Sequence, residues 1–402
     1  MLRNKQVDCE AIAESGFKAS AERALSSTTL LALEDSTSLS FGHGVRGELG
    51  PVGNGADSRH QGFVVHSVLL VDGDTGQTLG LIEQRRWKRR AASHGKKHQR
   101  KQRAYKEKES YKWEHASRVM SERLGELMSR TISVCDRESD IYAYLHYKLS
   151  HQQRFVVRAA QDRRIAGEAS GRLFEMAGTL QGAGCYHVTV PQKGGRRGRV
   201  AEMELCYAAV TLVSQRRKRP ALSLNVVQCR EVSNDEGQGL QWTLLTQEPV
   251  TSTEQARQIV RHYEQRWRIE EFHLAWKSGG TQVEKQRMQT ADNLERMSVV
   301  LAFVAVRLIQ IREVVMEKTD AKQHACTELL QPMEWQVLWL KRERRALPST
   351  PPSLHWAYYA LAKLGGWYDS KRTGKVSWLP LWEGWFRLQH MIEGAELAAS
   401  LK

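Results

Sequence analysis

The sequence predicts an α/β fold that continues into a β-rich segment and ends in an α-helical region. Up to about residue 163, short apolar runs alternate with segments whose apolar residues recur at helical spacing, an order typical of α/β domains. Residues 164–248 are mostly strand-like, and the chain beyond residue 249 is mostly helical. The chain has 402 residues, of which 41% are hydrophobic, so it is long enough for two or three domains.

The first half contains five apolar runs that predict strands. An acid closes the first of them, at Asp35, and another closes the fourth, at Asp136. The predicted strands are TTLLALEDSTSLSFGH (28–43), GFVVHSVLLVD (62–72), TLGLIEQRRW (78–87), TISVCD (131–136) and FVVRAA (155–160). The predicted helices are CEAIAESGFKASAERAL (9–25), YKWEHASRVMSERLGELM (111–128) and SDIYAYLHYKL (139–149).

The second half begins with an inserted set of strands and continues into long helices. Ser252, followed by Glu254 and Gln255, is a plausible cap for a long helix that contains Tyr263–Lys277. Further helices are predicted over 291–318 and in the tail, with breaks at Gly365-Gly366 and Pro380 and a linker over 347–353. The predicted boundaries are 1–30 (a short helical lead-in), 31–163 (the first part of a core), 164–248 (a β-rich insertion), 249–346 (the last part of the core) and 347–402 (a helical C-terminal region).

Charge and cysteine usage narrow the class of protein. The net charge is +15, and residues 85–108 carry twelve Lys or Arg and one acid, with Trp87, His94, His98 and Tyr105 among them. Interleaved cations and aromatic rings favour contact with a nucleic acid over a membrane surface. The six cysteines are scattered, no apolar run reaches the ~20 residues of a membrane span, and the polar start predicts no signal peptide. These features predict a cytoplasmic protein with reduced thiols.

Four polar residues of YEQRWRIEEFHLAWK (263–277) lie at helical spacing. On a continuous helix, Arg266, Glu270 and Lys277 point at about −60°, −20° and −40° relative to Tyr263. A carboxylate would then lie between two cations able to bind phosphate. The alternative is a solvated face with salt bridges at helical spacing.

Three acids are candidates for a common site. Asp35 and Asp136 close two predicted strands, and Glu270 lies on the late helix. Convergent carboxylates repel one another unless cations neutralise them, and hard oxygen ligands favour Mg²⁺ or Mn²⁺. For any single Asp, a turn or cap role is the commoner alternative.

The motif Tyr263-x2-Arg266-x3-Glu270-x6-Lys277 resembles the YREK signature of the insertion-sequence-four family of bacterial DDE cut-and-paste transposases. The wider text is most similar to the transposon-five branch of that family. Similar segments extend from about residue 2 to 398, among them EDSTSLSF, VCDRESDIYAYL, WTLLTQEPV, DNLERM and LWEGW. The resemblance implies an RNase-H-like catalytic core. It also implies that Asp35, Asp136 and Glu270 hold two Mg²⁺ (or Mn²⁺) ions per active site.

The resemblance also implies contacts with double-stranded DNA. Tyr263, Arg266 and Lys277 would hold phosphates at the transposon end, and Arg158 would lie near the bend of a DNA hairpin. Trp242 would stack on a base flipped out of the duplex, although it could simply pack the inserted sheet. Trp267 is a weaker candidate for stacking.

The implied reaction is hydrolytic nicking, hairpin formation, hairpin opening and strand transfer into target DNA. The C-terminal region would form a homodimer, in a bacterial cytoplasm and on the nucleoid when DNA is bound.

Two departures from the family leave alternatives open. The first catalytic Asp is at position 35, which predicts that the helical end-recognition domain of relatives is missing, and residues 85–108 are unusually basic. The chain is then a competent catalytic core, or a shortened partner that dimerises with full-length transposase and inhibits it, or an inactive remnant. A general RNase-H-like nuclease is a further alternative.

Overall fold

A computed structural model of the chain describes residues 4, 6–42, 44–52, 60–89, 103–167, 171–190, 198–214, 219–232, 239–317, 321–370 and 374–401. Its strands are β1 (Leu30–Phe41), β2 (Gly50–Pro51), β3 (Gln61–Asp72), β4 (Thr78–Trp87), β5 (Thr131–Cys135), β6 (Phe155–Arg158), β7 (Arg164–Ile165), β8 (Gly184–Val190), β9 (Arg199–Val213), β10 (Leu222–Glu231) and β11 (Gln241–Thr246). Its helices are α1 (Cys9–Arg23), α2 (Lys112–Leu124), α3 (Tyr142–Ser150), α4 (Leu173–Thr179), α5 (Thr253–Glu264), α6 (Trp267–Trp276), α7 (Ala291–Glu317), α8 (Pro332–Glu343), α9 (Leu354–Leu364) and α10 (Trp378–Ser400).

One mixed sheet contains all of these strands. Its order is β2–β3–β1–β5–β6–β11–β10–β9–β7, with β4 beside β3 and β8 beside β9. Strands β1, β5 and β6 run parallel, and β3 is antiparallel to both β1 and β4. The predicted α/β class is therefore confirmed.

Helices cover both faces of the sheet. Leu31 and Leu33 of β1 pack in one core cluster with residues of α1, α5, α6 and α7, whereas Leu30 and Ala32 pack in a second cluster with α2. A third cluster joins α3 to β5 and β6. Because both faces are buried, β1 begins with a continuous apolar run instead of an alternating one.

The β-rich segment extends this sheet instead of forming a sheet of its own. Strand β11 pairs antiparallel with β6 from Leu244–Arg158 to Thr246–Val156, and β10 and β9 follow outward. The segment also contains the short helix α4, which the strand-like pattern did not predict. The sheet thus carries the insertion directly beside the parallel strands.

The C-terminal helices pack in the same core cluster as α7. As predicted, a break follows α9 at Gly365-Gly366, but the predicted break at Pro380 is wrong. Pro380 lies in the first turn of α10, where the N–H that proline lacks would have no intrahelical partner. Of the tail tryptophans, Trp367 and Trp378 are buried, and the other three, Trp356, Trp382 and Trp385, are half-buried against the core. No helix in the described part of the chain is long and apolar enough to cross a bilayer.

Two glycines of α10 should respond in opposite ways to alanine. A Cβ on Gly384 would lie 2.0 Å from the carbonyl oxygen of Leu361 in α9, whereas a Cβ on Gly394 would meet nothing within 4 Å. We expect Gly384→Ala to lower the free energy of unfolding by about 1–3 kcal/mol, because neither backbone can yield without separating the helices. We expect Gly394→Ala to raise it by up to ~1 kcal/mol through helix propensity. Urea unfolding followed by circular dichroism measures both, and equal effects would contradict the close crossing.

Candidate active site

Two of the predicted acids lie at matching positions on neighbouring parallel strands. Pairing of β1 with β5 ends at Glu34–Cys135, so Asp35 and Asp136 are the next residues along the two strands. The strand predicted over 28–43 is confirmed as β1, but Asp35 does not end it, because β1 continues to Phe41 by pairing with β3 alone. Asp136 does end its strand, and its side chain accepts a hydrogen bond from the Glu138 N–H (2.9 Å).

The third acid lies on a helix that is shorter than predicted. Ser252 caps α5 as expected, by accepting a hydrogen bond from the Gln255 N–H (3.2 Å). The expected continuous helix is nevertheless interrupted at Gln265-Arg266, between α5 and α6. No glycine or proline causes this break. Instead, α5 packs on the insertion strand β9, whereas α6 packs on β1 and α7, so the two halves follow different partners.

Three residues of the motif form a connected set, and the fourth, Lys277, contacts β1 instead. The ring of Tyr263 lies 5.9 Å from the Arg266 guanidinium carbon, and Arg266 forms an ion pair with Glu270. Lys277 lies just beyond the end of α6 and donates a hydrogen bond to the Ser38 carbonyl of β1 (2.7 Å). Tyr263 is only 6% exposed, and the side chain of Arg266 is 14% exposed. The alternative is thus borne out in part: a salt bridge at helical spacing is present, but Tyr263 and Arg266 are too buried for a solvated face.

The surroundings of Asp35 disfavour the charged form of its carboxyl group. Burial is the main cause that raises its pKa to about 6, and the charges of Asp136 and Glu270 add to it. The Ser36 N–H and the Arg266 guanidinium act in the opposite direction. These influences place Asp35, Asp136 and Glu270 in one electrostatic neighbourhood.

A histidine that the sequence reasoning missed borders the same neighbourhood. His273 of α6 is buried, and its Nδ1 lies 3.8 Å from Asp35 Oδ2. Burial lowers the pKa of His273 to about 3, and the nearby cations Lys277 and Arg266 contribute. The spacing Glu270-x-x-His273 was the signal in the sequence, because residues three apart share one helix face.

The three acids are near one another but do not converge. Among the described residues, only Cys9, Glu10 and Glu295 form a group of three potential metal ligands whose atoms all lie within 4.8 Å. In that group the guanidinium of Arg86 already donates to both glutamates. In the candidate site, Glu270 is instead turned toward Arg266.

The donors of the candidate site suit a hard cation. All three predicted ligands offer carboxylate oxygens, the atoms that Mg²⁺ and Mn²⁺ prefer. The raised pKa of Asp35 indicates that its negative charge lacks sufficient compensation. Asp140, by contrast, is already satisfied by Arg163 and two backbone N–H groups. The residues therefore fit a divalent metal.

A scan against models of known protein families finds no match for this sequence.

Of the three other predicted DNA contacts, Trp242 lies against the motif and Arg158 lies on the strand next to that of Trp242. Trp242 of β11 is half-buried, with its ring 5.9 Å from that of Tyr263, and Arg158 donates to the carbonyl of the neighbouring Gln241 (3.1 Å). Trp267 is 55% exposed, but it lines a separate hollow of about 410 Å³ with Glu271 and Arg312. The structure therefore groups Trp242 with Tyr263, puts Arg158 beside Gln241 on the neighbouring strand, and gives Trp267 different neighbours.

The basic segment is partly structural. Arg86 is buried between Glu10 and Glu295, and Arg89 pairs with Glu109. Residues 90–102, which hold the rest of the densest charge, lie outside the described residues. Arg86 is thus committed to holding α1 and α7 against β4.

Proposed function

We propose that the chain is the catalytic core of a DDE transposase, which cleaves DNA at transposon ends and joins them to a target. One observation carries this proposal. The register of β1 and β5 puts Asp35 and Asp136 at adjacent strand positions, and α6 brings the charge of Glu270 to the same place.

The arrangement of the strands supports an RNase-H-like core. Apart from the two-residue strand β2, the strands that precede the insertion follow the order β4–β3–β1–β5–β6, in which only β3 runs antiparallel to the others. Helices cover both faces, Asp35 lies on β1, Asp136 directly follows β5, and Glu270 lies on α6. The strand order, the position of the acids and the YREK motif agree with one another.

Asp35, Asp136 and Glu270 would hold two Mg²⁺ or Mn²⁺ ions. Such ions activate a water or a 3′-hydroxyl and stabilise the leaving oxygen of a phosphodiester. For Glu270 to join the other two acids, its side chain must leave Arg266. The freed guanidinium, which Tyr263 supports from one side, would then be available to bind a DNA phosphate.

Neighbouring residues would orient the DNA. Lys277, anchored at the Ser38 carbonyl and 3.6 Å from Glu284, provides a second cation for the phosphate backbone. Arg158 would contact the strand at the hairpin bend, and Trp242 offers a half-buried ring at the edge of the insertion for a flipped base. Trp267, lying apart, would contact DNA only outside the acid cluster.

A second copy of the chain is the proposed protein partner. Leu379, Phe386 and Leu397 of α10 are 40%, 46% and 67% exposed, and such apolar side chains favour a helix-to-helix interface. The same surface would accept a full-length transposase. A second candidate function, inhibition by forming a heterodimer, therefore rests on the same helix.

The test is DNA cleavage in Mg²⁺ on a pre-nicked duplex that carries a transposon end of this family. We expect hairpin product from the wild-type chain and a loss of at least about 10³-fold in Glu270→Ala, because a metal ligand is removed. Glu271→Ala is the matched control. Glu271 is the next residue on α6 and lines the hollow with Trp267. The Glu271→Ala variant should therefore retain cleavage activity.

Equal loss in both variants would show damage to α6 and not to a metal site. If the wild-type chain makes no hairpin but captures intact transposase, inhibition is the better description. Cleavage without joining to target DNA would favour a general nuclease.

A further inference from the structure

We propose that His273 is a nitrogen ligand of the metal ion bound by Asp35 and Glu270, and that it makes the site prefer Mn²⁺ over Mg²⁺. This inference rests on the proposed function, because it concerns the same metal site. It adds a residue and a metal preference that the three carboxylates alone do not supply.

The distance between His273 and Asp35 fits shared coordination better than a hydrogen bond. Nδ1 of His273 lies 3.8 Å from Oδ2 of Asp35, which is beyond hydrogen-bond range. Two ligand atoms that are each about 2.1 Å from one ion are themselves about 3 to 4 Å apart. The imidazole and the carboxylate are thus separated by the space that one cation would fill.

The position of His273 on α6 also suits a ligand. It follows Glu270 by three residues, so the two side chains share one face of the helix. Helical di-iron and di-manganese proteins use the same Glu-x-x-His spacing to present a carboxylate and an imidazole to one metal. Here Glu270 is held by Arg266, and its release would complete a set of two carboxylates and one imidazole.

The competing explanation is that His273 only fills the core. His262 is a buried core histidine with which it can be compared. His262 of α5 is equally buried, but its Nε2 lies 2.8 Å from the Gln258 side-chain nitrogen, within hydrogen-bond distance. Among the described residues, each histidine has one buried ring nitrogen without a hydrogen-bond partner, Nδ1 of His262 and Nε2 of His273, so the two differ in the other nitrogen. The Nδ1 of His273 faces a carboxylate at a non-bonding distance. A histidine that only fills the core does not need a carboxylate beside its Nδ1.

The donor set determines the metal preference. Carboxylate oxygens alone suit Mg²⁺ and Mn²⁺ alike, whereas an imidazole nitrogen strengthens binding of transition metals. A nitrogen ligand should therefore raise the affinity for Mn²⁺ and leave that for Mg²⁺ nearly unchanged.

The experiment is Mn²⁺ binding by the full chain without DNA, followed by electron paramagnetic resonance. Pulsed spin-echo modulation detects a ¹⁴N nucleus bonded to Mn²⁺, and Mg²⁺ competition gives the Mg²⁺ affinity. We expect directly bound nitrogen in the wild-type protein and none in His273→Ala. Affinity for Mn²⁺ should fall at least about tenfold in that variant, since losing even an outer-shell partner costs about 10–100-fold, whereas Mg²⁺ affinity should change less than about threefold.

Two variants separate the possible outcomes, with thermal melts to confirm that each is folded. His262→Ala, the matched buried histidine, should keep the nitrogen signal, and its loss there would overturn the assignment to His273. Bound Mn²⁺ that is lost in Asp35→Asn but shows no nitrogen in the wild-type protein would overturn this inference and leave the proposed function intact. If Asp35→Asn does not weaken Mn²⁺ binding, the metal site itself is wrong and both proposals fail.

Discussion

Asparagine in place of Asp35 is expected to stabilise the metal-free protein by about 3 kcal/mol above pH 7 and, on the proposed function, to abolish DNA cleavage. The pKa of Asp35 rises from 3.8 to about 6 on folding, chiefly through burial, and its side chain is 22% exposed. A shift of about two units corresponds to roughly 3 kcal/mol. Asparagine has a similar shape but no charge to desolvate.

The sign of the pH dependence follows from which state binds the proton more tightly. Because the folded pKa is higher than the unfolded one, the folded protein holds the proton more tightly between pH 4 and 6. Ionisation of Asp35 therefore lowers the free energy of unfolding as the pH rises through this range, with no further loss above it. In Asp35→Asn this loss should be absent.

Urea unfolding of both proteins from pH 4 to 8, in EDTA and a reducing agent, measures the difference. Asp72→Asn is a control of opposite sign. Burial raises the pKa of Asp72, but hydrogen bonds from Ser27 and Thr75 outweigh it and lower the pKa, so its loss should destabilise the protein. A stability gap between wild type and Asp35→Asn that is independent of pH would refute the buried-charge explanation.

The sequence predicted strands well where an apolar run, buried on both faces, is bounded by a recognisable turn. The predicted runs 62–72 and 78–87 correspond to β3 (Gln61–Asp72) and β4 (Thr78–Trp87). Their limits are set locally, by an apolar run and by the turn at Asp72, whose side chain accepts hydrogen bonds from Asp74 and Thr75. Such features are visible in a linear sequence because neighbouring residues create them.

The failures have tertiary causes. The interruption at Gln265-Arg266 arises because α5 and α6 pack on different elements, and no breaker residue marks it. Strand β1 extends beyond Asp35 because β3 continues to pair with it after β5 has ended. Neither partner can be identified from the residues around these positions.

The proximity of the three candidate acids was predictable, but their side-chain conformations were not. Strand order and the motif indicated Asp35, Asp136 and Glu270, and the structure gives them a common electrostatic neighbourhood. The pairing of Glu270 with Arg266 depends on which side-chain rotamer of Glu270 has the lower free energy when no cation is bound. The spacing of residues in the sequence does not determine that difference. His273 was missed because a lone histidine on an apolar helix face is usually a core residue.

Leucine in place of Glu34 is expected to lower the free energy of unfolding by about 3–5 kcal/mol, because it leaves the buried ammonium of Lys148 without a countercharge. Glu34, His66 and Lys148 are all 0% exposed, on the face of β1 opposite to Asp35. Oε2 of Glu34 lies 3.5 Å from His66 Nε2, and Lys148 donates to Ser133 (2.8 Å). Burial lowers the pKa of Lys148, and the charge of Glu34 opposes that change.

The double variant Glu34→Leu/Lys148→Met distinguishes lost charge pairing from lost packing. If the interaction is electrostatic, removing both charges should be less damaging than the sum of the two single variants, by about 1–3 kcal/mol. Guanidinium chloride would screen charges, so urea unfolding is the appropriate measurement. Strictly additive losses would show that Glu34 and Lys148 act independently. A strong coupling would mean that one side of β1 is fixed by a buried charge pair, while Asp35 on its other side keeps an uncompensated charge for a metal ion.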